Sequence, residues 1–316
     1  MAHSLNATFS SSCFWVRLQA HNQATTPMAL AYYQALHGSF VIVGKSPDGD
    51  SVRFIADNPA GYQSIYRAYR IEPARDGSVQ LRFEGIDAPE VHYGKAAQPL
   101  GNAVRDSLLA RLGFTNVVIN PNETVLSATP DRISGWILTK GVDANGRPIA
   151  YVLPDTATLT DGEATLVDEA LLKQTINHEL TVRGLVYYTV YTSTPALHRH
   201  VLRAAAAEAR ANLLGVWAVD CTSRYRLESQ ADLEPGEQGQ LILPKLFRRS
   251  TDFLKKPDGA ENLKDWLLSK ATGSRPEDDL VLICGHIEVP LSQLVVQQNQ
   301  YVLFQADTLD IVFVEK

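Results

Sequence analysis

In the stretch RFEGIDAPE, residues 82–90, Arg82, Asp87 and Glu90 stand at the end of a segment whose preceding alternate residues are apolar. A guanidinium can meet two oxygens of an oxyanion at once, which an ammonium cannot. Hard carboxylate oxygens suit Ca²⁺ or Mg²⁺, and a carboxylate can also take a proton from water. Such charge is either a strand end reaching solvent or a convergence on a ligand. Three other segments carry related residue types: PDGDSVRF at 47–54, DANGRPIAYV at 143–152 and YYTVY at 187–191. Singly, each has a plainer meaning. Asp-Gly is an ordinary hairpin turn, DANGR is a turn followed by a surface arginine, and Tyr187, Tyr188 and Tyr191 are core or rim aromatics.

Two metal motifs are excluded. An EF-hand loop starting at Asp48 needs a glutamate at its twelfth position, which is Pro59. His198 and His200 sit two apart in ALHRH, so on a helix they point away from each other and cannot share an ion. They read as a solvated helix edge.

The elements that must position these residues begin near residue 37. HGSFVIVGKS, the turn PDGD and SVRFIA read as a hairpin, and NPAGYQSIYRAYRIEPARDGS as an excursion before the next strand. In VQLRFEGID, Val79, Leu81 and Phe83 alternate with Gln80, Arg82 and Glu84, which places Arg82 opposite the apolar face. A helix follows, with Pro99 at its start, a stripe of Leu100, Val104, Leu108 and Leu112, and Gly113 at its end. TNVVI, SGWILTK and PIAYVLP read as strands and ATLVDEALLKQTINHELTVRG as mostly helical. A further alanine-rich helix opens after Thr194-Pro195 and closes by Gly215. RLESQADLEPGEQGQ, about 226–240, has linker composition, and beyond it two helices precede strands and a final hairpin, YVLFQADTLDIVFVEK. The expected organisation is an N-terminal extension (1–36), a principal domain (37–225), a linker (226–240) and an accessory α+β domain (241–316). Without regular βαβ alternation, the principal domain reads as α+β around a five-stranded OB-type barrel.

The 316 residues are 45% hydrophobic and 20% charged, as in a soluble globular protein, and no apolar run is long enough to span a membrane. A net charge of −6 means that a polyanion partner must be held by a local basic site. Cys13, Cys221 and Cys284 have no disulfide or metal spacing, and with no secretory signal in view the expected location is the cytoplasm.

Taken in order, PDGDSVRF, RFEGIDAPE, DANGRPIAYV, NHELTVRGL and ARANLLGVW resemble the staphylococcal nuclease (thermonuclease) family over roughly residues 38–220. The resemblance implies a metal-dependent, sugar-nonspecific nuclease acting on DNA, RNA or both. It makes Asp50 and Asp87 ligands of Ca²⁺, with Mg²⁺ as an alternative, and the carbonyl of Ala88 a third ligand where the family usually has threonine. Glu90 corresponds to the general base or water-orienting glutamate, Arg82 and Arg147 to the phosphate-binding arginines, and Tyr188 and Tyr191 to nucleic-acid contacts. Asn145 departs from the family, which often has tyrosine there. The alternative is an OB-fold binding module without activity, since degenerate copies of this fold occur. Either is compatible with a protein partner for the C-terminal domain. LPKLFRR there reads either as a basic helix touching nucleic acid or as a packed amphipathic helix.

Overall fold

The computed structural model describes residues 31–272 and 276–315. The first strands are β1 (Tyr32–Val41), β2 (Arg53–Ala56), β3 (Val79–Gln80), β4 (Arg82–Phe83) and β5 (Ile86–Asp87). After helix α1 (Gly101–Leu112) come β6 (Thr115–Ile119), β7 (Val125–Thr129), β8 (Arg132–Val142), β9 (Pro148–Pro154) and β10 (Ala164–Leu166). Short helices α2 (Glu169–Leu172) and α3 (Ile176–Val182) lead to β11 (Tyr187–Tyr188), β12 (Val190–Tyr191) and the long helix α4 (Ala196–Ala211). The C-terminal part holds β13 (Arg224–Arg226), α5 (Pro244–Lys255) and α6 (Leu263–Ser269). It ends with β14 (Leu280–Ile283), β15 (Ile287–Pro290), β16 (Val295–Gln298), β17 (Tyr301–Phe304) and β18 (Ile311–Phe313).

The fold is α+β around a nearly closed barrel. β1 runs antiparallel to β2 and β8, and β8 antiparallel to β9, with a one-residue slip between Thr139 and Gly141. Residues 79–83 join the two edges. β3 pairs with β2, the amides of Leu81 and Phe83 donate to the carbonyls of Val52 and Asp50 at 2.9 Å, and β4 lies parallel to β9 with Arg82 opposite Ile149. Side chains alternate across these strands. Leu36, Phe40, Phe54, Leu81, Phe83, Ile137 and Val152 fill the interior, where Val104 and Leu108 of α1 and Leu180 of α3 join them.

The alternate set on β1, β8 and β9, Tyr33, Ala35, Trp136, Leu138, Tyr151 and Leu153, is buried as well. α4 and the C-terminal elements cover it. β18 pairs in parallel with β12, Val190 against Val312, and β13 pairs with β17. Tyr225, Leu246, Phe247, Trp266, Val281, Val302 and Phe313 therefore share one core with the outer barrel face.

That shared core changes the expected organisation. Residues 31–316 form one compact unit. The boundary placed at 36/37 falls inside β1, while residues 1–30 of the expected N-terminal extension lie outside the described residues. Residues 226–240 are a folded connection, because Leu227 and Leu233 are buried in the same core and the Asp232 carboxylate accepts the amides of Glu228 and Ser229. Their polar composition concealed two anchoring leucines. Nor do the last strands form a hairpin: β17 and β18 belong to different sheets. The connection between them is held on α4, where Arg210 bonds both oxygens of Asp307 at 2.6 and 2.9 Å and Arg203 pairs with Asp310.

Candidate active site

The turn before β2 delivers Asp50. Asp48 Oδ1 accepts the amide of Gly49 at 2.7 Å and that of Val91 at 3.2 Å, which ties the turn to the loop after Glu90. Gly49 is required there, since a Cβ would stand 2.7 Å from both the Ala88 Cβ and a Val104 methyl. The backbone just before Asp50 is thus packed against Ala88.

β5 delivers Asp87, pairing with Tyr187 of β11. Glu90 follows in a loop fixed by Gln98, which accepts the Glu90 amide at 3.2 Å and donates its own amide to the Glu90 carbonyl at 2.9 Å. The start of α1 packs directly on this carbonyl, since a Cβ on Gly101 would come within 2.5 Å of it.

On the outer side of β4, Arg82 donates to the Tyr191 hydroxyl at 3.2 Å and lies over that ring, 5.3 Å from its centroid. Lys245 of α5 donates to the same hydroxyl at 3.3 Å. Arg147 stands on the turn between β8 and β9, where its Nε donates to Asp143 Oδ2 at 2.8 Å. The other Asp143 oxygen accepts the amides of Asn145 and Arg147, so the turn and its arginine are fixed together.

A third arginine enters from outside the barrel. Arg248 of α5 donates to both oxygens of Asp87, at 2.7 and 3.3 Å, and also to Glu90 Oε1. The next residue, Arg249, donates to Asp279 at 2.8 Å. Lys245, Arg248 and Arg249 recur at i, i+3 and i+4, one face of the helix, while Leu246 and Phe247 are buried in the core.

The carboxylates respond to these surroundings. Burial, reinforced by Asp87, raises Asp50 to about 7 against the pull of Arg82 and Arg147. Burial and the neighbouring Asp50 and Glu90 push Asp48 well above the usual range. Burial also pushes Asp87 upward, but Arg248 and Arg82 outweigh it and hold this carboxyl below its ordinary value. For Glu90, burial together with Asp87 prevails over Arg248, and the carboxyl is raised. For Tyr191, burial is outweighed by Arg82 and Lys245, which lower the phenol.

The donor chemistry of Asp50, Asp87 and the Ala88 carbonyl suits a hard cation. None of the described residues hydrogen-bonds the Asp50 carboxylate, which leaves its oxygens open to one. Both oxygens of Asp87, however, are taken by Arg248. Among the described residues no three His, Cys, Asp or Glu side chains stand close enough together to hold a metal ion.

Two expectations are corrected here. Tyr188 is only 4% exposed, packed in the outer core, and cannot stack on a base. His198 is fully buried, its Nε2 2.8 Å from the Val167 carbonyl and its Nδ1 3.1 Å from the Tyr151 hydroxyl. It lies on the covered face of α4 with Val201, Leu202 and Ala205, while His200 is exposed. Tyr191 does reach the site, where its hydroxyl takes the two cationic donors. The sequence reading missed Lys245 and Arg248. The i, i+3, i+4 spacing in LPKLFRRS was the available signal, but nothing local said which way that face turned.

The model of a family described as Staphylococcal nuclease homologue matches residues 80–219. The match includes Arg82, Asp87, Ala88, Glu90 and Arg147, while Asp50 precedes it and Arg248 follows it. No curated protein matches the chain.

Proposed function

We propose that the chain, whose residues 80–219 match the model of a family described as Staphylococcal nuclease homologue, hydrolyses phosphodiester bonds of DNA, RNA or both. The observation that carries this reading is that the turn before β2 brings Asp50 into electrostatic range of Asp87, Glu90 and Arg82 of the stretch 82–90. Hydrolysis brings a hydroxide equivalent to an already anionic phosphorus, so negative charge grows on the phosphoryl oxygens. Arg82 is preorganised to meet that charge, since the Tyr191 hydroxyl and ring hold its guanidinium. Arg147 supplies a second guanidinium from its rigid turn. Glu90, raised above an ordinary carboxyl, orients the attacking water and takes its proton. Ca²⁺, held by Asp50, Asp87 and the Ala88 carbonyl, would supply charge neutralisation at the phosphate.

The substrate strand has a natural landing next to Arg147. Tyr66 and Tyr69 are 68% and 81% exposed, with Arg67 and Arg70 over their rings at 4.9 and 5.7 Å. This loop rests on the Gly146–Arg147 turn, where a Cβ on Gly146 would lie 2.4 Å from the Arg70 carbonyl. Exposed rings interleaved with arginines stack on bases of any sequence, and they stand near Asn145, where the family often has tyrosine. We assign the C-terminal segment to this site, through Lys245 and Arg248, rather than to a protein partner.

The contact of Arg248 with Asp87 and Glu90 favours a second reading, a nucleic-acid-binding barrel that does not hydrolyse. Incubating the full chain with single-stranded DNA and with RNA separates the two. The expected result is cleavage stimulated by Ca²⁺ and abolished by chelator. Binding without cleavage under Ca²⁺, Mg²⁺ and chelator alike would favour the second reading.

A further inference from the structure

α5 lies beyond the residues matched by the family model, and its Arg248 stands where the nuclease reading needs a cation. The guanidinium occupies both oxygens of Asp87 and one of Glu90. It also reaches them from a fixed base. Leu246, Phe247, Ser250 and Thr251 on either side are fully buried, so α5 is not a loose arm resting on the barrel. On the same face, Lys245 bonds Tyr191, Arg249 bonds Asp279, and Asp252 accepts the Tyr93 hydroxyl at 2.6 Å. Arg248 is therefore delivered to the carboxylates by a helix anchored before and after it.

We propose that Arg248 is a built-in competitor for the divalent cation, seated on Asp87 and Glu90 so that Ca²⁺ binds only when its side chain withdraws. This rests on the reading of Asp50 and Asp87 as cation ligands. Arg248 donates to both Asp87 oxygens, and Ca²⁺ brought to the same carboxylate would be repelled by the guanidinium at that range. Without a cation, Arg248 neutralises carboxylates that would otherwise be buried together unpaired, which is costly. Because Ca²⁺ binds only the molecules in which Arg248 has withdrawn, its apparent affinity is its intrinsic affinity multiplied by that fraction. The same contact holds the Glu90 carboxylate away from water, so cation entry and release of the base are one event.

The test is calorimetric titration with Ca²⁺ alone, with no nucleic acid present, on the parent chain, Arg248→Gln and Arg248→Lys, each checked for folding by circular dichroism. Thermal unfolding with and without Ca²⁺ serves as a second readout. The expected result is binding at least about tenfold tighter in Arg248→Gln than in the parent, with Arg248→Lys between them. Ca²⁺ should also raise the melting temperature of Arg248→Gln more than that of the parent. If Arg248→Gln fails to fold, Arg248→Lys carries the comparison. Equal affinity in all folded chains, lost in Asp50→Asn, would overturn the competition and leave the cation site standing. No Ca²⁺ binding by any chain would overturn the competition together with the cation reading.

Discussion

Replacing Arg82 with lysine is expected to lower the cleavage rate by about 10²–10³-fold, the loss typical of removing one preorganised donor to a developing oxyanion. Lysine keeps the charge but not the planar fork. The Tyr191 hydroxyl, which receives Arg82 at 3.2 Å and Lys245 at 3.3 Å, would then orient a point charge in place of a fixed guanidinium. Affinity for an oligonucleotide should fall much less, because phosphate contacts are spread over many groups. Arg147→Lys should act in the same direction, with the added loss of the bond to Asp143 that fixes the turn. Near-normal turnover in both lysine variants would remove the arginines from the chemistry.

A chain ending at Ser223 is expected not to fold. The family match ends at residue 219, which invites this cut. Yet the cut would strip β18 from β12 and uncover Tyr33, Trp136, Tyr151 and Val190 on the outer barrel face. Burying one large apolar side chain is worth about 1.5–3 kcal/mol. Exposing these four costs about 6–12 kcal/mol, comparable to the whole of the roughly 5–15 kcal/mol by which a domain is stable. Aggregation on expression, or loss of the cooperative thermal transition, is the expected outcome. A soluble, cooperatively folding 1–223 chain would show that the two parts have separate cores.

The strands around Arg82 and the end of α1 were legible because they follow short-range rules. Alternation in VQLRFEGID placed Val79, Leu81 and Phe83 inside and Arg82 outside, as β3 and β4 have them. Gly113, at φ 106°, ends α1 where the helix stripe predicted. The errors share one cause, a second layer covering the outer face of the barrel. Glu84 and His198 read as solvent-facing by local pattern, and Tyr188 as a nucleic-acid contact by resemblance, yet they are 3%, 0% and 4% exposed. The covering residues, such as Val281 and Phe313, come from far along the chain, so no local window contains the signal. The final hairpin failed for the same reason, because YVLF and IVF have separate long-range partners, β13 and β12. Arg248 belongs with these, since its sequence context gives its helix face but not the carboxylates that receive it.

The most direct test of the account is the cleavage rate of Glu90→Gln measured beside its binding to the same labelled single-stranded oligonucleotide, in saturating Ca²⁺. Glutamine keeps the shape of Glu90 and its capacity to accept from Arg248 but cannot take a proton. The account predicts a loss of about 10²–10⁴-fold in single-turnover cleavage, the usual contribution of a general base, with affinity little changed. Cleavage at the parent rate by Glu90→Gln would place the chemistry elsewhere and contradict the assignment of this cluster as the active site.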